Sequence, residues 1–408
     1  MSKAKPTKNQ LEFLNWEMGV FFHFGIRTFY QNNVDWDEKP MDASVFNPEK
    51  LDCRQWIKTI KEAGAKYAVL TCKHHDGFAN WPSKYTEYSV KNTPWKNGQG
   101  DVVREYVDAC REFGIKVGLY YSPAQFGSRK MQGREYDDYF INQISELLTD
   151  YGKIDYLWFD GCGSENHEYD RKRIVEAIRS LQPEILIFSM WDPDTRWVGN
   201  EEGIAPFEIY NTISPDSEWQ EAAWLDSDKF LPYECDCRIR RKSWFYKEAD
   251  EKYLRDTDDM LALYEYSVGR GGNLLLNIGP NTDGLLPEKD SQNFIDFGRK
   301  LKERYQNPIE CNVTEDNGNF RIEFEKEQNV NCVVLEEDLT DGESVTGFEF
   351  GFEIMQAAPV YFSVFSGKNI GHKRICTFPQ LFGNQLVLKI TAHNGDFKLK
   401  SIKCFCID

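Results

Sequence analysis

No apolar run in the sequence approaches the roughly 20 residues that a membrane-spanning helix needs, so a membrane protein is not expected. Positive charge is scarce too: 49 lysines and arginines face 66 aspartates and glutamates, for a net charge of -17. A phosphate backbone would be repelled by that balance, which excludes nucleic acid as a partner. Zinc-ribbon spacing is missing. The 11 cysteines are an odd number, and the close pairs Cys235-Asp-Cys237 and Cys404-Phe-Cys406 are C-x-C rather than C-x-x-C. Most of the others, such as Cys72 and Cys110, sit in apolar, strand-like contexts and are expected as reduced buried thiols, which suits a cytoplasmic protein. Leu11 to Trp16 includes Glu12 and Asn15 and offers no apolar core for an export signal. A secreted chain that has already been processed is the alternative. There are no internal repeats and no low-complexity tracts, and no metal or cofactor is expected.

Aromatic residues, by contrast, are abundant at 14%, with 11 tryptophans. Sugar rings are among the ligands that exploit such a load, because their C–H faces lie flat on aromatic planes. From residue 16 to about 305, short apolar runs alternate with amphipathic stretches. Strands are expected at Gly19 to Gly25, Tyr67 to Cys72, Lys116 to Ser122, Ile154 to Asp160, Ile185 to Met190, Glu208 to Ile213 and Asn273 to Ile278. Helical spacing appears at Arg54 to Ala63, Val102 to Phe113, Tyr136 to Thr149, Arg171 to Leu181 and Thr257 to Gly269. That alternation predicts an α/β fold, a (β/α)8 TIM-like barrel over residues 1–305. A doubly wound sheet is the rival; the polar and aromatic clusters at strand after strand end favour the barrel. Beyond Pro308 the runs are short, alternating and free of helix signals, which predicts a C-terminal antiparallel β-sandwich over residues 306–408.

The barrel pattern is organised around Tyr156-Leu-Trp-Phe-Asp-Gly161. A buried strand ending on the carboxylate of Asp160, with Trp158 two positions back on the same side, lies where barrels keep their chemistry. A helix cap or a turn is the plainer role for Asp160. The first strand ends Phe21-Phe-His-Phe-Gly25 and puts His23 on the same rim. The second ends in Lys73-His-His-Asp-Gly-Phe78, where His74 and His75 would point donors at a polar ligand, sugar hydroxyls being the better guess than a metal. Trp81 either covers the pocket or anchors its loop. Tyr120 and Tyr121 end the third strand. The loop Met190 to Gly203 is rich in tryptophan and acids, and two carboxylates over one aromatic cleft are the minimum equipment for glycoside hydrolysis. The glycine-rich segment Gly269 to Gly284 lacks the Lys-Ser/Thr of a phosphate loop and reads as a strand end, not a nucleotide site.

At these residues the chain resembles the α-L-fucosidases of glycoside hydrolase family 29. The resemblance is carried by the Phe-His-Phe-Gly strand end, Lys73-His-His-Asp-Gly-Phe78 followed by Trp81-Pro-Ser-Lys-Tyr85, Trp158-Phe-Asp-Gly161, Arg196-Trp-Val-Gly-Asn-Glu201, Ser243-Trp-Phe-Tyr246 and Asn273 to Pro280. It implies a retaining double displacement on fucose-bearing oligosaccharides or glycoconjugates, with Asp160 as nucleophile and Glu201 as acid/base; Glu202 and Glu234 compete for the latter role. It also implies that His23, His74, His75, Tyr120 or Tyr121, Arg196 and the pair Asp35-Trp36 hold the sugar. Phe21, Trp158 and Trp244 would wall its methyl group, and Trp197 would limit the solvation of Glu201. The Gly-Asn-Glu motif resembles the branch that prefers α-1,3/1,4-linked fucosides. Two departures stand out: Asp35 where the family usually has Glu, and Ala124-Gln-Phe126 where this branch usually carries Trp-Asp-Arg. A fucose-binding protein that has lost its chemistry and an α-L-galactosidase-like enzyme are the competing readings.

Overall fold

The computed structural model describes residues 4–408 except 32, 33, 36, 38, 40, 125–130, 165, 166 and 356–358. Eight strands build one parallel sheet: β1 (Met18–Phe22), β2 (Tyr67–Lys73), β3 (Lys116–Tyr121), β4 (Tyr156–Phe159), β5 (Leu186–Phe188), β6 (Arg196–Trp197), β7 (Tyr233–Arg238) and β8 (Asn273–Asn277). Their order is 5-4-3-2-1-8-7-6, so each strand lies beside its neighbour in sequence and the sheet curls round. A lone parallel bridge, Phe188 to Thr195, spans the seam between β5 and β6. These strands read as near-continuous apolar runs because both of their faces are buried.

Alternation along each strand sorts its side chains into two layers. Phe21, Tyr67, Val69, Tyr120, Tyr156, Trp158, Phe188 and Leu275 fill the barrel interior. Phe13 and Trp16 of α1 (Lys8–Trp16) join that cluster and close one end of it. Their neighbours Val20, Phe22, Leu70, Tyr121, Leu157, Phe159 and Leu276 face outward into the main core shared with the helices. Those helices are α2 (Cys53–Glu62), α3 (Val102–Phe113), α4 (Gly133–Thr149), α5 (Arg171–Leu181), α6 (Thr257–Ser267) and α7 (Glu288–Tyr305). Asp52, Asp101, Asp170 and Asp256 cap the starts of α2, α3, α5 and α6 by accepting backbone N–H bonds that the first turn leaves open.

The barrel departs from the expected strands in three places. Only Thr212 and Ile213 of the run Glu208 to Ile213 are extended, and they pair antiparallel with Lys229–Phe230 outside the barrel. The missing barrel strands are β6 and β7, whose polar residues resemble loop sequence. No α-helix follows β5 or β6, so the outer layer is interrupted there. Immediately after β5, Ser189 (φ 67°) and Trp191 (φ 60°) adopt left-handed backbone conformations, which fold the chain back sharply enough to start β6 at Arg196.

After α7 the chain forms six antiparallel strands: β9 (Cys311–Asp316), β10 (Asn319–Glu337), β11 (Val345–Met355), β12 (Pro359–Gly367), β13 (Arg374–His393) and β14 (Leu399–Phe405). β10 and β13 are long strands with register shifts near Glu323 and Val330, where bulges bend them. Both halves of β10 therefore contribute to one core, Phe320 and Ile322 from the first and Val333 and Leu335 from the second.

Gly298 of α7 lies against the end of α2, where an added Cβ would sit 2.1 Å from the Ala63 carbonyl oxygen. Gly298→Ala is therefore expected to lower stability by about 1–3 kcal/mol through overpacking. In an exposed helix the same change gains about 1 kcal/mol, so a raised denaturant midpoint would contradict this packing.

Candidate active site

A cavity of about 690 Å³ opens at the C-terminal ends of the barrel strands. One of the carboxyls lining it is Asp160, directly after β4. One carboxylate oxygen accepts from the Tyr120 hydroxyl at 2.7 Å and lies 3.3 Å from His75 Nε2; the other accepts from the Cys162 backbone N–H at 3.0 Å. Burial alone would raise the pKa of Asp160, but the charge and hydrogen bond of His75, with the other two donors, outweigh it and hold the carboxyl below its usual range. The same pair acts in reverse on the histidine. Burial disfavours the imidazolium, yet the negative Asp160 pushes the pKa of His75 up to about 9. Its Nδ1 meets the Ser122 hydroxyl at 2.6 Å, so both ring nitrogens are engaged.

The other two histidines of the mouth are neutral. Burial drives His23 down to about 3 and His74 well below the ordinary histidine value. Asn277 donates through its Nδ2 to the Trp244 carbonyl, which leaves its Oδ1 facing His23 Nδ1 at 2.8 Å. His23 Nδ1 must therefore carry the proton, and Nε2 is left as an acceptor. The Nδ1 of His74 is buried with no hydrogen-bond partner among the described residues, while the ring borders the cavity. His74, His75 and Asp160 offer ligand atoms within 4.8 Å of one another, but a metal there would have to displace the His75–Asp160 contact.

Aromatic planes form the walls. Trp158 stacks on Phe188 at 4.0 Å and on Tyr120 at 5.4 Å, and Trp244 lies 4.8 Å from the His23 ring. The Trp244 backbone N–H donates to Asp35 at 2.8 Å, so Asp35 holds that segment as well as facing the cavity. β7 carries a ladder of inward side chains, Glu234, Asp236 and Arg238, at alternate positions. The lowest, Glu234, is enclosed by the Tyr67 hydroxyl and the Trp158 indole N–H, at 2.6 and 2.7 Å. Asp236 reaches the cavity and accepts from Trp197 Nε1 at 2.7 Å; burial pushes its carboxyl up to about 8. At the rim, Arg238 meets Glu201 at 3.4 Å. Glu201 lines the cavity from a loop bracketed by Gly199 (φ 87°) and Gly203 (φ 72°), conformations that favour glycine.

The α-L-fucosidase family model matches residues 2–305. The chain belongs to the α-L-fucosidase family. It is 37% identical over 318 residues to alpha-L-fucosidase 1 of Arabidopsis thaliana, a match covering 74% of this chain and 62% of that relative's length. Over 275 residues it is 26% identical to the tissue alpha-L-fucosidase of Bos taurus, covering 64% of this chain and 54% of the relative. Its structure is similar to that of a glycoside hydrolase 29 family member from an unknown rumen bacterium, with a TM-score of 0.91 and 32% identity. That likeness covers 100% of this chain and 78% of the other.

In this α-L-fucosidase family member the cavity gathers Phe21, His23, Asp35, His74, His75, Tyr120, Trp158, Asp160, Glu201 and Trp244. Five other expected residues lie elsewhere. Tyr121 faces outward, one position along β3 from Tyr120, and donates to Gln143. Trp81 is buried with its indole N–H on Glu146, so it anchors its loop. Arg196 is fully buried, its guanidinium 4.0 Å from the Trp219 ring. Glu234 lies beneath Trp158, outside the cavity lining. Glu202 is exposed and also outside the cavity lining, and Trp36 lies outside the described residues. The indole of Trp197 serves Asp236 rather than Glu201. Asp236 itself escaped notice because its segment did not read as a strand; alternation across Glu234, Asp236 and Arg238 was the available signal. Cys162, Met190 and Trp224 also border the cavity, and nothing in their sequence context marks them.

The His75–Asp160 pair has a definite pH signature. A free imidazole titrates near about 6.5 and His75 in the fold at about 9. The pair therefore stabilises the fold fully below about pH 6.5, and that contribution fades as the pH rises through about 9. The gap in thermal midpoint between the wild type and His75→Gln is expected to narrow from about pH 6 to about pH 10; a constant gap would show that the pair is not ionised.

Proposed function

We propose that the chain is an α-L-fucosidase that cleaves terminal α-L-fucosides by double displacement with retention of configuration. The observation that carries this reading is Asp160, an ionised strand-end carboxylate opening into an aromatic cavity with neutral histidines beside it. Asp160 attacks the anomeric carbon while a carboxylic acid across the sugar protonates the departing glycosidic oxygen. The fucosyl ester of Asp160 is then hydrolysed by water that the same second group, now a carboxylate, deprotonates. Such a pair of carboxyls works at a separation of about 5 to 5.5 Å. Glu201 fills the second role in this reading because it reaches the cavity from a separate loop and is open to an incoming leaving group. His23 Nε2 and His74 receive sugar hydroxyls, and Phe21, Trp158 and Trp244 face the methyl group. Oligosaccharides with α-1,3/1,4-linked fucose are the proposed substrates, on the strength of the Gly-Asn-Glu201 motif.

One observation favours a second assignment of the proton donor. Asp236 borders the same cavity with its carboxyl pushed up to about 8, and so rests protonated near neutral pH. Two variants decide between the assignments.

With 4-nitrophenyl α-L-fucoside, Asp160→Asn is expected to lower kcat by more than about 10³-fold, and proton NMR of early product should show the α anomer; equal rates, or the β anomer, would remove the mechanism. Glu201→Gln should cost about 10²–10⁴-fold in kcat/KM on a substrate with a poor leaving group and far less in kcat/KM on α-L-fucosyl fluoride, whose departure needs no proton. If Asp236→Asn shows that pattern and Glu201→Gln does not, the roles are exchanged. An α-L-galactoside should bind more weakly by about 1–3 kcal/mol, because its extra hydroxyl would be buried unpaired against the aromatic wall; an equal KM would remove that wall from the account.

A further inference from the structure

The loop that carries Glu201 has no α-helix between β6 and β7 behind it; it meets α6 through the Ala205 N–H, which donates to the Tyr266 carbonyl at 2.9 Å, and it is also supported from the other end of the chain. Residues 207–212 lie between that loop and the C-terminal domain. On the domain side, Glu343, which follows the turn at Leu339–Asp341, accepts three hydrogen bonds: from the Asn211 N–H at 2.7 Å, the Thr212 N–H at 3.2 Å and Asn211 Nδ2 at 2.9 Å. Asn369 donates to the Ile209 carbonyl at 2.6 Å, and Arg374 donates to the Phe207 carbonyl at 3.0 Å while lying over the Phe207 ring. On the barrel side, Arg196 donates to the Tyr210 carbonyl at 2.7 Å, and Ile209 and Ala205 pack with Val198, Trp219 and Tyr233. Val198 is three residues before Glu201, and Asn200 closes the loop by donating to the Ile204 carbonyl at 2.9 Å. No contact in this series reaches Asp160.

We propose that Glu343 is a positioning residue for the reaction: through residues 207–212 and the Val198 cluster, the C-terminal domain holds Glu201 in place over the cavity. The proposal rests on the assignment of Glu201 as proton donor. Three donors converge on two oxygens, which a carboxylate satisfies directly; a carboxamide would set its nitrogen against Asn211 Nδ2 and keeps the third contact once the Asn211 amide turns over to offer its Oδ1. Releasing residues 207–212 frees the packing against Val198 and lets Glu201 drift, whereas Asp160 stays fixed between β3 and β5.

The consequence is selective, and so is the test. Leaving groups that need a proton depend on Glu201; fluoride does not. Glu343→Ala and Glu343→Gln, in the full chain, are assayed on α-L-fucosyl fluoride and on a fucosylated oligosaccharide. Wild-type turnover of both substrates secures the activity independently of this inference. Glu343→Ala is expected to keep kcat/KM on the fluoride, which reports only formation of the fucosyl-enzyme, within about twofold and to lose about tenfold or more of kcat/KM on the oligosaccharide, as small misplacements of a catalytic group do, while Glu343→Gln, which can keep its contacts, is expected to lose less. Azide, an external nucleophile that needs no general base, is expected to accelerate breakdown of the fucosyl-enzyme in the variants only. An equal loss on both substrates, with a lowered thermal midpoint, would reduce Glu343 to a stabilising contact and overturn the proposal. No loss on either substrate would overturn it too.

Discussion

A single buried charge pair, the imidazolium of His75 against the carboxylate of Asp160, is the constraint on which the chemistry of the barrel mouth depends. Neither ion would survive there alone: burial disfavours both charged forms, and each is kept by the other. The pair needs rigid flanks to stay within 3.3 Å. Tyr120 supplies one by donating to Asp160, and Ser122 supplies another by meeting His75 Nδ1. Lys73, one residue before the histidines, donates to the carbonyls of Ser122 and Ala124 at 2.6 and 3.0 Å and so ties the tip of β2 to the tip of β3. Burial keeps His23 and His74 neutral, with the charge of His75 a smaller push in the same direction, and neutral imidazoles can accept as well as donate. The charge of one histidine therefore helps to determine the hydrogen-bonding character of the others.

The remaining carboxyls divide by depth. Those at the rim meet cations, Asp35 with Lys247 at 3.6 Å and Glu201 with Arg238 at 3.4 Å. Those set deeper meet indoles instead, Glu234 with Trp158 and Asp236 with Trp197. With no cation among the largest influences on them, both deep groups are pushed up by burial, to about 7 and about 8. An indole N–H has one direction, so an acceptor on a strand fixes the plane of the ring that donates to it. Two aromatic walls of the cavity are thus oriented by carboxyls on β7, Trp158 by the enclosed Glu234 and Trp197 by Asp236, which itself borders the cavity. Trp158 is held in this way by Glu234 and clamped between Phe188 and Tyr120.

Sequence reasoning recovered the parts of this architecture that rest on local pattern. Five helices and the strands that begin the barrel carry their periodicity openly, and Asp160, His23, His74 and His75 stand at strand ends that a barrel brings together. It failed where position depends on distant contacts. β6 is two residues long and β7 carries Glu234, Asp236 and Arg238 on its inner face, so neither shows the apolar run of a buried strand. The assignment of Tyr121 and Trp81 to the cavity came from nearness in sequence; alternation turned the tyrosine outward, and the demand of a buried indole N–H for an acceptor drew Trp81 to Glu146. Arg196 looked like a ligand for a sugar because it opens a recognisable motif. Its guanidinium instead lies between Trp219 and Tyr233 inside the protein, where flat delocalised charge packs well against rings.

The two carboxyls proposed for the reaction are secured by different physics. Asp160 follows a strand hydrogen-bonded to β3 on one side and β5 on the other, so its location is nearly settled once the sheet forms. Glu201 lies beyond the seam, past a strand with one paired edge and a single bridge on the other. Strand pairing cannot hold a loop so weakly rooted, and the outer helix that would brace it elsewhere in the barrel is absent. What remains is tertiary contact: packing among Val198, Ile209, Trp219 and Tyr233, and the Ala205 N–H on the Tyr266 carbonyl of α6 at 2.9 Å. An attacking group that must meet one carbon along one line gains from the stiffer support. A group that must first give a proton and later take one from water needs access from outside, and the irregular side of the barrel is where access exists.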